Sequence, residues 1–323
     1  MTGTPARVRV RVPSKVNLFL AVRGARSDGY HELVTVLQTV SIHDLVEATL
    51  ERSGASAHPA ARRFMELAFT LDGRGELPVD DGNLAVRAAR RLMAEVGMGA
   101  HGRGGALRGL RGVPVTRLHL TKHIPIAAGL AGGSADAAAS LLALNHLWDA
   151  DLGQHELHAI ARELGADVPF CVTGGTALAT GTGTATAQVL TRGTYHWVVG
   201  ISDEPLATPE VYRTFDEVGA PTDVEPDAVL QALRTGDADA LGAALHNDLE
   251  VAALHLRPEL DRGKRAMLDA GSLGAVVSGS GPTVVGLASS AQHALAIAGE
   301  VEPVFDRVEV ALSPAGGPEL ANG

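Results

Sequence analysis

The sequence predicts an α+β chain of two domains dividing near residue 190, and three observations carry that reading. Strand-like segments gather before helical ones in the first part, a segregation typical of α+β architectures. A strand then feeds a glycine-rich stretch and an apolar helix around residue 130. Beyond residue 190 the pattern changes to mostly helices, with two short apolar strands around a Gly-Ser-Gly turn. A length of 323 residues leaves room for two domains of ordinary size.

Each element has a local reason. Val8, Val10 and Val12 alternate with Arg7, Arg9 and Arg11, the period of a strand with one polar face. Residues 17–22, 33–41 and 45–50 read as further strands rich in Val, Leu and Thr. Stretches 53–63 (polar) and 97–112 (glycine-rich) read as surface loops, and between them Asn83 caps an amphipathic helix reaching about Val96. Residues 115–124 form the strand before the glycine loop, 156–164 a short helix, and 174–190 a Gly/Thr-rich hairpin. After a strand at 197–201, helices are expected at 209–218, 227–234, 238–254 and 258–270. Strands at 274–278 and 283–288, a helix at 290–300 and a strand at 307–312 complete the pattern. The expected division is 1–190 and 191–312, with 313–323 a small, polar, disordered tail.

Composition narrows the function classes. Apolar residues at 46% with 20% charged describe a globular chain with ample core. A net charge of −10 argues against a nucleic-acid footprint, which needs a basic face. The single cysteine, Cys171, excludes an internal disulfide framework and fits a reducing compartment. The N-terminus lacks a continuous apolar signal segment, and no stretch approaches the roughly 18 apolar residues of a membrane span. A cytoplasmic protein without membrane or nucleic-acid partners is expected. Lys15, Lys122 and Lys264 are the only lysines among many arginines.

Four constellations bear on chemistry. In PIAAGLAGGSADAAASLLALNHLW, residues 125–148, small residues lead into a helix that carries no charge after Asp136. Such a loop lets the main chain approach an anion, which the unpaired N–H groups and positive end of the helix then hold. It lacks the Gly-Lys-Ser/Thr of a Walker A loop, and a turn with Ser134 as N-cap is the plainer alternative. In PSKVNLFLAV, residues 13–22, Lys15 and Asn17 share one face of a strand and need a polar partner if buried; an edge lysine in solvent is the alternative. In LGADVPF, Asp167 lies between a helix-ending Gly165 and Pro169, either capping a turn or serving as a base on a rigid bend. In VVSGSGPTVVGL, the Gly279-Ser280-Gly281 turn either closes a hairpin or presents amides to the phosphate region. His155 and His158 lack a third ligand and read as a solvated helix face.

Taken in chain order, the glycine- and lysine-centred blocks resemble the GHMP kinase superfamily, whose phosphate motif Pro-x-x-x-Gly-Leu-x-x-Ser-x-Ala is matched by Pro125, Gly129, Leu130, Ser134 and the nearby Ala137. RSDGYHEL (26–33) and ATPEVY (207–212) resemble the cytidine pocket of one branch. The resemblance implies two domains, the second ferredoxin-like, with the active site between them. It implies transfer of the ATP γ-phosphoryl to the 2-hydroxyl of a cytidyl-diphosphate-linked methylerythritol, in non-mevalonate isoprenoid precursor synthesis. Asp167 is then the base, Lys15 its partner against the phosphoryl, and Asn17 the residue orienting the acceptor. Pro125, Ile126, Ala127, Ala128, Gly129, Leu130, Ala131, Gly132, Gly133, Ser134 and Ala135 hold ATP. Tyr30 and Tyr212 sandwich cytosine, His31 meets its edge, and Thr208 lies nearby. Mg²⁺ is expected with ATP, without a named protein ligand. Ala127, Ala128 and Ala131 stand where the family often has glycine. The alternatives are a GHMP kinase for homoserine, mevalonate or a sugar, and a non-catalytic nucleotide-binding module.

Overall fold

A computed structural model describes residues 6–52, 66–73, 77–96 and 114–321. The loops expected at 53–63 and 97–112 lie outside the described residues. In chain order come β1 (Ala6–Ala25), β2 (His31–Arg52), β3 (Glu66–Gly73), α1 (Leu84–Val96), β4 (Pro114–Lys122), α2 (Gly132–Leu147), α3 (Gln154–Leu164), α4 (Val168–Thr173), β5 (Thr176–Gly181) and β6 (Ala185–Gln188). Then follow β7 (Tyr195–Ile201), α5 (Thr208–Val218), α6 (Asp227–Thr235), α7 (Ala238–Ala244), β8 (His246–Asn247), α8 (Glu250–Leu256), α9 (Glu259–Asp269), β9 (Gly274–Val277), β10 (Val284–Ala288), α10 (Ala291–Val301), β11 (Arg307–Ser313) and β12 (Glu319–Leu320).

The first sheet is built on one long antiparallel hairpin. The strands expected at 8–12 and 17–22 are a single β1, and those at 33–41 and 45–50 a single β2. Their register shifts between Pro13 and Ser14, where a bulge absorbs a proline that cannot donate to the ladder. The path runs β12-β1-β2-β4-β3, with β5 on β2, β6 on β5 and β8 on β1. Asn83 caps α1 as expected, its Oδ1 accepting the Ala85 N–H at 2.9 Å. Helix α2 is apolar nearly all round because it is buried nearly all round, with Leu141, Ala143 and Leu144 at zero exposure.

The second sheet has the order β11-β7-β10-β9, all antiparallel. With α5–α9 after β7 and α10 after β10, this is the split βαβ arrangement of a ferredoxin-like unit.

Three expectations need correction. The helix expected at 238–254 is two helices interrupted by β8, because Asn247 and Asp248 find partners on β1 and on the Gly279 turn that a continuous helix denies them. Gly165 ends α3 as expected, but Pro169 does more than bar its continuation: it lies in the first turn of α4, where its missing N–H is no loss. The segment from Ser313 to Leu320 is not a disordered tail. Ser313 is buried and bridges Gln38 and Trp197, Ala315 N–H donates to the Thr39 carbonyl, and Glu319–Leu320 pairs with β1.

Candidate active site

Residues 12–22 of β1 are all buried, so Lys15 and Asn17 lie within the molecule, not on a solvated edge. Period-two alternation puts them side by side. The Lys15 ammonium donates to Asn17 Oδ1 at 2.6 Å and to the Gly129 carbonyl at 2.9 Å. Asn17 Nδ2 in turn donates to Thr35 Oγ1 at 2.9 Å, which holds its oxygen toward the lysine. Asp167 Oδ2 stands 3.8 Å from Lys15 Nζ. Asp167 occupies the N-cap position of α4 without capping it, so its carboxylate is free to face the lysine. The lysine side chain is 5% exposed and the aspartate 35%, an arrangement that leaves the carboxylate open to a ligand.

The glycine loop wraps over this pair. Ala127, Gly129 and Ala131 have φ of 50°, 76° and 56°, all left-handed. Alanine at two of these positions carries strain of about 1–2 kcal/mol each, which the surrounding packing sustains. Ser134 is not the N-cap: α2 begins at Gly132 and its cap, Ala131, offers no side-chain bond. The helix ladder starts with Ala135 N–H to Ala131, which leaves the N–H groups of Gly132, Gly133 and Ser134 as first-turn orphans. These three residues line a cavity of about 750 Å³, together with Ala127, Ala128, Gly129 and Ala131. Leu130 and Ala135 instead point into the core, and Pro125 and Ile126 stand outside the cavity lining.

The second lobe closes the opposite wall. A Cβ on Gly129 would sit 2.1 Å from the Ser278 carbonyl oxygen, and one on Gly279 would sit 3.3 Å from Lys15 Nζ. The Gly279 turn therefore rests directly on the loop and on the lysine. Gly129→Ala combines a left-handed φ with a backbone collision, and displacing the loop by an ångström is expected to lower turnover by about 100-fold. Steady-state rates on the folded variant check this, and a loss below tenfold would show the loop to be more tolerant than the contact implies.

At the other end of the cavity, Tyr212 on α5 stacks against His31 with ring centroids 4.9 Å apart. His31 Nε2 lies 2.7 Å from Asp216 Oδ1, which joins the β1–β2 hairpin to α5 across the lobes. Burial pushes the Tyr212 phenol up, with the Asp167 charge acting in the same sense. Thr208 Oγ1 and Ser280 Oγ are 2.9 Å apart, while Tyr30 stands at the mouth, 66% exposed. Lys15, Asn17, Tyr30, His31, Asp167, Thr208 and Tyr212 all line this one cavity.

Sequence reading missed the group that supports the loop from beneath. Lys122 Nζ bonds to Asp44 and, at 2.9 Å, to Asp136 Oδ2, all three almost fully buried. Asp44 Oδ1 also accepts the N–H groups of His123 and Ile124 at 2.6 and 2.9 Å, where β4 runs into the loop. Burial pushes the Asp136 carboxyl well above the usual carboxylate range, and the Lys122 charge only partly opposes it. Burial also weighs against the Lys122 ammonium, but the charges of Asp136 and Asp44 outweigh it and raise its pKa. The available signal was a rare lysine before the loop and a lone acid opening an apolar helix. Asp216 and Asn247 had no such signal, whereas Ser280 lies in the Gly279–Gly281 turn that the sequence marks.

Residues 83–175 match the model of the GHMP kinases N terminal domain, and residues 229–305 that of the GHMP kinases C terminal. The 4-diphosphocytidyl-2-C-methyl-D-erythritol kinase of Salinispora arenicola is 48% identical over 307 residues, 93% of this chain and 89% of that protein. The chain belongs to the GHMP kinases. The enzyme of the same description from Mycolicibacterium smegmatis is 41% identical, over 97% of this GHMP kinase and 92% of that protein. A crystal structure of 4-(cytidine 5'-diphospho)-2C-methyl-D-erythritol kinase superposes with a TM-score of 0.71 at 34% identity, over 96% of this chain and 99% of that one. A homoserine kinase from Cytophaga hutchinsonii has a TM-score of 0.73 at 20% identity, over 99% of each chain, a likeness of fold alone. No described helix of this GHMP kinase is long and apolar enough to cross a membrane.

Proposed function

We propose that this GHMP kinase transfers the γ-phosphoryl of ATP to the 2-hydroxyl of 4-diphosphocytidyl-2-C-methyl-D-erythritol. The reading is supported by near-full-length identity of 41–48% to enzymes of that description, together with one cavity holding Lys15, Asp167 and the Tyr212–His31 pair. Asp167 accepts the hydroxyl proton as the bond to phosphorus forms. Lys15, 3.8 Å away, faces both that carboxylate and the transferring group, and its charge offsets the negative charge that gathers on the phosphoryl oxygens. Asn17, fixed by Thr35, sets the direction of the Lys15 ammonium and orients the acceptor.

The orphan N–H groups at the start of α2 hold the ATP phosphates, with residues 125–135 shaping the loop. Tyr30, His31, Thr208 and Tyr212 receive the cytidyl end. The hydrogen bond of His31 to Asp216 holds the imidazole against Tyr212, and the exposed Tyr30 supplies the outer face of the base pocket. Among the described residues no cluster of three or more His, Cys, Asp or Glu could hold a metal ion unaided. Mg²⁺ is proposed to enter with ATP, carried by its phosphates and water and neutralising their charge. In this reading residues 1–190 form the domain that supplies the loop, Lys15 and Asp167, and residues 191–312 the domain that supplies the Gly279 turn and α5, in a kinase proposed to act in the cytoplasm.

The test is ADP release from Mg·ATP with three acceptors: 4-diphosphocytidyl-2-C-methyl-D-erythritol, homoserine and mevalonate. Turnover with the first alone is expected. Turnover with either of the others instead would keep the kinase and overturn the cytidyl pocket, and ATP binding without any turnover would favour a binding module.

A further inference from the structure

Asn247 has no contact with the cavity, yet all its polar capacity is committed to the wall of the site. Its strand β8 pairs in parallel with β1, Asn247 opposite Leu20, five residues beyond Lys15. Asp248 continues the attachment, its N–H donating to the Leu20 carbonyl and its carboxylate accepting the Val22 N–H. The Asn247 carboxamide then reaches the other way. Nδ2 donates to the carbonyls of Val277 at 2.7 Å and Gly279 at 2.8 Å, on either side of Ser278, while Oδ1 accepts the Leu249 N–H at 3.0 Å. The side chain is 8% exposed, so water does not substitute for these partners.

What it grips is the turn that meets the reaction centre. Ser278 Oγ donates to the Gly129 carbonyl at 3.2 Å, the same oxygen that takes the Lys15 ammonium at 2.9 Å. Gly279 sits against Lys15 Nζ and Asn17 Oδ1 so closely that a Cβ would lie 3.3 and 3.1 Å from them. A continuous chain of contacts thus runs from β1 through Asn247 to the turn, and from the turn back to the lysine and the phosphate loop.

We infer that Asn247 is a positioning residue for phosphoryl transfer, setting the Val277–Gly279 backbone that fixes the Lys15 ammonium and the Gly129 carbonyl in register across the two lobes. The assignment rests on the kinase reading, and wild-type turnover in the same assay tests that reading separately; its absence overturns both. Asn247→Asp is the informative variant because it changes one group. The new oxygen faces two carbonyl oxygens where two N–H groups stood, while the acceptor for Leu249 is kept.

The expected result is a fall in kcat of at least about 30-fold, with KM for ATP and for the acceptor within threefold, since misplacement by about an ångström acts on the transition state. Asp248→Asn is the control for structure alone: its partners are Val22, Thr222 and His246, none of them in the turn, so it lowers thermal stability with kcat within twofold. Gly279→Ala combined with Asn247→Asp is expected to cost far less than the product of the two single effects, because both displace the same turn. If Asn247→Asp does not fold, Asn247→Ser, which keeps one donor, carries the same comparison. Wild-type kcat in the variant, a loss matched by Asp248→Asn, or multiplicative effects with Gly279→Ala would each overturn the assignment.

Discussion

Asp167→Asn is expected to lower kcat by about 10²–10⁴-fold, the range lost when a positioned general base is removed, with ATP affinity changed only a few fold. The substitution keeps the shape of the side chain and its place at the start of α4, where the carboxylate makes no cap that could be lost. It removes the acceptor of the hydroxyl proton and the negative partner 3.8 Å from Lys15. Phosphoryl transfer through a loose transition state places much of its demand on positioning, so residual turnover above background is expected from the phosphate loop and Lys15. Single-turnover rates separate this from slow product release. A loss below tenfold would remove Asp167 from the proton path and leave it as a partner that orients Lys15.

The second large effect is on stability. Lys122→Met is expected to destabilise the fold by about 3–5 kcal/mol, because it strands two buried carboxyls that share one cation. That is a large part of the 5–15 kcal/mol typical of a folded domain. The pH dependence carries the signature. In the parent, the raised Lys122 pKa means its contribution is complete below the unfolded lysine value of about 10.4 and fades as pH rises through the folded value. The raised Asp136 pKa has the opposite consequence for an acid: the folded state favours the proton, and the charged form is a burden above about 3.9. Without the lysine that burden grows, so the stability deficit of Lys122→Met should narrow as pH falls. Denaturant unfolding across that range measures it. A deficit independent of pH would show that lost packing, and not stranded charge, dominates.

Asp248 supplies a contrasting acid. Burial tends to raise its pKa, but bonds from His246, the Val22 N–H and Thr222 outweigh this and lower it. A depressed carboxylate contributes stability above its unfolded pKa of about 3.9 and loses it as pH falls through the lower folded value. Asp248→Asn is therefore expected to flatten the acid limb of the stability curve, measured as thermal midpoint against pH. An unchanged limb would place acid sensitivity elsewhere.

Much of the site was legible because its residues are awkward where they stand. A lysine and an asparagine inside an apolar strand, glycines before a helix, and an aspartate at a rigid bend each demand a partner, and Lys15, Gly129 and Asp167 prove to be partners of one another. Long-range pairing left no such mark. Nothing local distinguishes Asn247 from a residue in the middle of a helix, and the helix pattern across 238–254 concealed a two-residue strand. Asp44 falls in the gap between the strands expected at 33–41 and 45–50; only the sheet reveals that it meets Lys122, which also holds Asp136. Small polar residues after Ser313 suggested a loose tail, because their composition carries no record of the Gln38 and Trp197 that receive them.

The placement of β12 beside β1 has a consequence for synthesis on the ribosome. Val10 and Arg11 pair with Leu320 and Glu319, which follow them by about 310 residues. At about 5–20 residues per second, tens of seconds separate the two events. During that interval β1 presents an unpaired margin of main-chain donors and acceptors, an aggregation-prone surface for a nascent chain. Arg7 and Arg9 are paired with Glu47 on β2, but Arg11 lacks its Glu319 partner until β12 arrives, and that unpaired charge discourages two such margins from zipping together.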